Sequence, residues 1–250
     1  DFESGEVEIE GTITAIDPIA GTITINSVEI PVDDVTQFSV GMHIEIKAIY
    51  VNDTLQVTRI EDEAEDTVRI EVMADAAPVG EIITNLLGLD IEPTERTRLE
   101  DDTDTLGDDP ALADFLALID SNTHIEARGY PLNGGILWTE IEISYDYEAR
   151  CRLRGPAADF SELDSTITIE GVEVDATNSQ FEDANDLPIS REVFFQALAD
   201  NPNAVVQATS ADETGCNILS LTAKEVSLEA ADDVLVGDDI NGDDLNDNEL

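Results

Sequence analysis

The sequence repeats itself, and an internal repeat constrains a fold more than any composition does. HIEIKAI (43–49) returns as HIEARGY (124–130), and AVVQATS (204–210) puts Val205 where the first two have His43 and His124. Each is followed by a second alternating run: TLQVTRIE (54–61), ILWTEIEI (136–143) and CNILSLTAKEV (216–226). Turns such as VND and LNGG separate the runs, as a hairpin requires. Upstream, the first copy reads VEIEGTITAID (7–17), TITIN (22–26), VEIPV (28–32) and TQF (36–38). The third reads CRLRGPAADF (151–160), STITIEGVEVD (165–175) and NSQFED (178–183). The second is more worn: VRIEVMADAAPVG (68–80), NLLGLDIEP (85–93) and TRLED (97–101).

Alternation of apolar and polar residues marks five half-buried strands in each copy. Between the third and fourth strands the first copy has only SVGM, but the others carry a stretch of helical period. In DPALADFLALIDSN the spaced residues are Leu112, Phe115, Leu116 and Ile119. In PISREVFFQALADN they are Ile189, Val193, Phe194 and Leu198, and Pro110 and Pro188 fall at or near the first turns. Three strands, an optional helix and two more strands is the order of an OB-type barrel, whose closure removes exposed edges. The expected architecture is mainly β: three tandem OB-like five-stranded β-barrels at 5–63, 66–145 and 147–229. An acidic tail at 230–250 follows, and the second and third barrels carry the inserted helix.

The chain has 58 acidic residues against 11 basic ones among 250, a formal charge of −47. Such a surface excludes nucleic acid as a partner, because binding it relies on Lys and Arg neutralising phosphates. It also disfavours anionic membrane surfaces, and no apolar run is long enough to span a bilayer. It suits high salt or abundant divalent cations, which screen the self-repulsion. Cys151 and Cys216 fit one disulfide in an oxidising compartment and lack CxxC spacing. The start at Asp1, without Met or a signal region, reads as a mature exported product.

GTITAID, GTITIN, the TQF step, IEARGY and the LxxTxIE closing run together resemble a secreted bacterial repeat family known as domain of unknown function 5666. The third copy is the nearest to that pattern, through RGP, TITIEGVEVD, QFED, LPISREVFFQAL and AKEVSLE. The resemblance covers roughly residues 5–229 and implies an exported protein of barrel repeats. It brings no activity and no catalytic residues. The second copy departs from it at MADAAPVG, where the family has a glycine-led first hairpin.

No GxSxG, HExxH, P-loop or dinucleotide fingerprint occurs, so the chain is expected not to be an enzyme. His43 and His124 align with Val205, which marks a strand start and not a ligand. Trp138 and the Thr-rich strands could line a glycan surface, although one Trp in a strand is more often core. The tail carries the sharpest signal. Asp239, Asn241, Asp243 and Asp247 have the alternate-residue spacing of a calcium loop, with Glu249 a further oxygen donor. The match is incomplete: Asp244 stands where the turn glycine belongs, and Leu250 where the bidentate glutamate belongs. Val234, Leu235 and Val236 form a short apolar strand suited to pairing with another copy, and DFESGEVEI could do the same from the other end. The expected function is a non-enzymatic structural subunit of an extracellular fibre or surface assembly. It would be a homo-oligomer or homopolymer joined through its termini and stabilised by divalent cations, calcium first. The alternative is a periplasmic or surface binding module for a glycan or small ligand, with a concave site near Trp138 or Tyr130.

Overall fold

The computed structural model describes residues 6–51, 54–62, 67–103, 105–106, 110–144 and 150–229. The strands of the first segment are β1 (Glu6–Asp17), β2 (Thr22–Ile25), β3 (Val28–Pro31), β4 (His43–Val51) and β5 (Thr54–Asp62). They form a five-stranded sheet in the order β3-β2-β1-β4-β5. Alternate β-branched residues point inward, so Ile13, Ile23, Ile25, Ile30, Ile44 and Ile46 are fully buried. Each such side chain stabilises the fold by about 1.5–3 kcal/mol. The β2–β3 turn uses Asn26 and Ser27, both at positive φ (49° and 67°), the turn geometry that matches strand twist. The sheet curls until β3 lies beside β5. The TQF step is a 3-10 turn over Val35–Gln37, whose Thr36 N–H is capped by the Asp34 carboxylate at 2.9 Å.

The second segment has β6 (Val68–Met73), β7 (Arg98–Asp101), α1 (Leu112–Leu118), β8 (His124–Leu132) and β9 (Gly135–Ser144). β6 pairs antiparallel with β8, β8 with β9, and β9 runs parallel to β7. This is four strands and not the expected five. Where NLLGLDIEP was read as a strand, only isolated bridges form, Ala74 with Asn85 and Ile83 with Ile91. The side chain of Asn85 explains the difference. It donates to the Leu89 carbonyl at 2.6 Å and accepts the Leu87 N–H at 3.0 Å, closing a tight loop in place of a ladder. Gly88 in that loop has φ +73°, which no strand uses. Ile83, Leu87 and Ile91 still reach the core, so the apolar pattern survives the loss of the strand.

The third segment comprises β10 (Arg152–Ser161), β11 (Thr166–Ile169), β12 (Val172–Asp175), β13 (Gln180–Glu182), β14 (Pro188–Ile189), α2 (Arg191–Asp200), β15 (Val205–Ser210), β16 (Cys216–Asn217) and β17 (Ser220–Leu228). Pairing runs from β10 through β11, β12, β17 and β15 back to β10, a closed five-stranded barrel. Its helix differs from expectation at the start. Ile189 and Pro188 pair with β13, so the helix begins after Ser190, whose hydroxyl caps Val193 N–H. Val193 is consequently 55% exposed, and Phe194, Phe195 and Leu198 make the buried face. Cys151 and Cys216 form a disulfide that ties the foot of β10 to β16.

Two hydrophobic cores result. One belongs to the first segment, and the other runs without a break through the second and third. The continuity comes from a strand pair: β10 lies antiparallel to β6, with Arg152 opposite Glu71, Leu153 opposite Ile70 and Arg154 opposite Arg69. The first segment meets the second through smaller contacts. Arg96 Nε donates to the buried Asp62 carboxylate at 2.9 Å, and its guanidinium lies 5.1 Å over the Phe38 ring. His43 N–H donates to the Tyr130 hydroxyl at 3.3 Å, and Leu132 and Leu137 from the β8–β9 hairpin pack on the first core.

Candidate functional site

His43 and His124 open β4 and β8, and Val205 opens β15, which places all three as strand starts. His124 is buried, and burial holds its imidazole below the ordinary value. The two rings belong to different segments. Trp138 is core, 2% exposed, with its indole N–H donated to the Asp90 carbonyl at 3.2 Å, so it lines no open surface. Asp239, Asn241, Asp243, Asp247 and Glu249, and the apolar Val234, Leu235 and Val236, lie outside the described residues.

What the sequence reading missed is the face outside the β6–β10 seam. Residues two apart on one strand share a face, so the register sets two cross-strand rows side by side. One row is Arg98, Glu140, Arg128, Arg69 and Arg154, on five adjacent strands. The other is Glu100, Glu142, Glu126, Glu71 and Arg152 on the same strands. A chain with 11 basic residues thus spends five of them on one strip. The apolar partners of the seam, Ile70 and Leu153, face the core from the opposite side. RLR at 152–154 was the available signal: it is a basic pair two residues apart in a chain otherwise dominated by acids.

The rows are knitted diagonally. Glu126 receives Arg69 Nη2 at 2.7 Å and Arg128 Nε at 2.8 Å. Burial alone would raise Glu126, but the two guanidiniums outweigh it and hold the carboxyl below the ordinary value. Arg152 Nη1 contacts the Glu71 carboxylate across the seam. Glu142 is the exception. Burial first, then the charges of Glu126, Asp102 and Glu100, push its carboxyl up to about 7.

At that end of the strip Glu100, Glu140 and Glu142 bring carboxylate oxygens within 4.8 Å of one another. Hard cations take such oxygens. Arg98 already sits on Glu100 and lies 3.9 Å from Glu140, so the trio is partly neutralised from within the chain.

Three edges decide how the segments relate. β1 pairs with β4 through Glu6–Thr12 and with β2 only from Ile13 onward, on the other side. β10 does the same with β15 and β11, and its remaining edge is the one taken by β6. Residues 10–61, which contain almost all of this first sheet, match the family model of a domain of unknown function (DUF5666). A search of curated proteins returned no match. In this first segment the edge of β1 equivalent to the seam edge carries no strand among the described residues.

A cavity of about 280 Å³ opens where the first segment meets the second, lined by Thr12, Gly41, His43, Thr67, Tyr130 and Pro131. The Glu10 carboxylate stands 3.7 Å from His43 Nε2 at its edge. Tyr130, anticipated as a concave-site residue, is there; Trp138 is not.

Proposed function

We propose that the chain is a non-enzymatic structural subunit of an extracellular fibre or surface assembly, built of three OB-like barrels and joined to its neighbours by strand edges. The observation that carries this reading is the β6–β10 pair, in which one segment completes another by adding a strand to its open edge. The pair is centred on Ile70 opposite Leu153. Through their partners on β4, β8 and β15, both residues correspond to Ile9 of β1. A second copy docking by the same geometry sets Ile9 against Ile9, with Glu8 opposite Glu10 in both directions. That gathers four carboxylates at the joint and makes divalent cations, calcium first, a requirement of assembly. A disulfide and so acidic a surface suit an oxidising, cation-rich exterior.

The test uses a substitution at the edge alone. The Glu10 carbonyl accepts the Asn26 side-chain amide on the β2 side, so even-numbered residues of β1 turn their backbone groups to the open edge. Glu8→Pro removes an edge N–H and leaves the β1–β4 ladder intact. Sedimentation in millimolar calcium should show association of the unaltered chain, and its loss in Glu8→Pro and in chelator. An unaltered chain that stays monomeric in calcium would sink the reading.

The cavity beside Tyr130 favours a second reading, a binding module whose size suits one sugar unit or another small polar ligand. Glycan titrations followed by tyrosine fluorescence, with Tyr130→Ala as control, separate the two.

A further inference from the structure

Six buried side-chain polar atoms lack a hydrogen-bond partner among the described residues: Asp62 Oδ2, Thr67 Oγ1, Arg69 Nε, Arg152 Nε, and Nε and Nη2 of Arg154. Four of the six belong to arginines on the polar face of the β6–β10 seam, and each can donate a hydrogen bond. A buried donor left unpaired costs more than a formed hydrogen bond returns, and a buried guanidinium costs most. Arg154 is the extreme case at 8% exposure. Among the described residues the carboxylate paired with it, on Glu229, stands 3.7 Å from its Nε, beyond hydrogen-bonding range. Arg69, opposite Arg154 across the seam, adds a like charge. Such a concentration of unmet cationic donors calls for an anionic acceptor, and the fork geometry of Arg fits a carboxylate.

The chain supplies one. β17 ends at Leu228, and Glu229 N–H still bonds the Val205 carbonyl on β15, beside β10. From Glu229 onward the sequence is EAADDVLVGDD, with no basic residue to its end. Asp232 and Asp233 follow Glu229 by three and four residues, a reach of about 10–13 Å in extended chain. Adjacent strands are about 4.8 Å apart, so that reach spans from Arg154 to Arg69 and beyond. We propose that the seam is a carboxylate-binding seat, and that its occupant is the acidic segment 230–250 of the same chain, entering through Asp232 and Asp233. This interaction is independent of the β1 edge and holds in a monomer.

The experiment is hydrogen exchange on the full chain, comparing it with Arg69→Gln and with the double variant Asp232→Asn/Asp233→Asn. The double variant alters no residue of the barrels, so it stays informative if Arg69→Gln destabilises the fold. Amides immediately after Glu229 should exchange at least about tenfold more slowly in the unaltered chain than in either variant, and high salt should erase the difference. Calorimetric titration with acetate supplies the second arm. Acetate should bind the double variant and not the unaltered chain, whose seat is filled. Equal exchange in all three chains overturns the proposal. So does acetate binding equally well to both, which would make the seat open to free carboxylates.

Discussion

Glu142 shows how one side chain takes its properties from the strands beside it. Its neighbours across the sheet are Glu126 and Glu100, and neither registers an arginine against it. With its carboxyl pushed up to about 7, the folded chain keeps a proton that the unfolded chain releases above its ordinary value of 4.5. The unfolded state therefore binds fewer protons across that window, and stability falls as pH rises from about 4.5 to 7. Glu142→Gln should melt with the unaltered chain at pH 4 and above it at pH 8. The gain should be about 1 kcal/mol, modest because the group is half exposed and screened. A variant equal to the unaltered chain at pH 8 would show that the neighbouring charges do not reach it. His124 works in the opposite sense: burial depresses its imidazole, so it weakens the fold as pH falls below 6.5.

At the scale of elements the segments share irregularities as well as strands. β4, β8 and β15 each shift register at one place against β5, β9 and β17, between Lys47 and Ala48, Arg128 and Gly129, and Thr209 and Ser210. Counted from His43, His124 and Val205, the shift falls at the same offset, so it is a bulge kept by the geometry of a curling sheet. At Gly129 the bulge brings the β9 backbone so close that a Cβ would stand 2.2 Å from the Leu137 carbonyl oxygen. Gly129→Ala should therefore cost about 1–3 kcal/mol in denaturant unfolding, although alanine is a mild substitution elsewhere in a strand. Alternation made the strands legible in the sequence, and the VND and LNGG turns placed the hairpins. Alternation could not show that Asn85 would satisfy its loop with its own side chain, because that outcome depends on local hydrogen bonds. Nor could it show the seam. Arg69 and Arg154 are 85 positions apart in sequence, and only the register of two non-consecutive strands makes them neighbours. The disulfide was legible because Cys151 and Cys216 were the only pair to form.

For the molecule as a whole, two cores imply two melting units. The first segment has its own core, while the second and third share one that crosses the seam. Calorimetry should resolve two transitions. The disulfide spans 65 residues within the larger unit, and its loss in Cys151→Ala/Cys216→Ala should remove about 4 kcal/mol from that unit alone. A single transition that shifts as a whole would mean that Arg96, Tyr130 and the β8–β9 hairpin fuse the first segment to the rest more firmly than their few contacts suggest.

The seam also sets a rule of parity. Edges of this kind are consumed two at a time, and β6 and β10 consume each other. Three segments then leave one edge over among the described residues, that of β1. A chain lengthened by one further segment could pair that edge internally. By the same rule, adding the first segment again in tandem should abolish any association that depends on it.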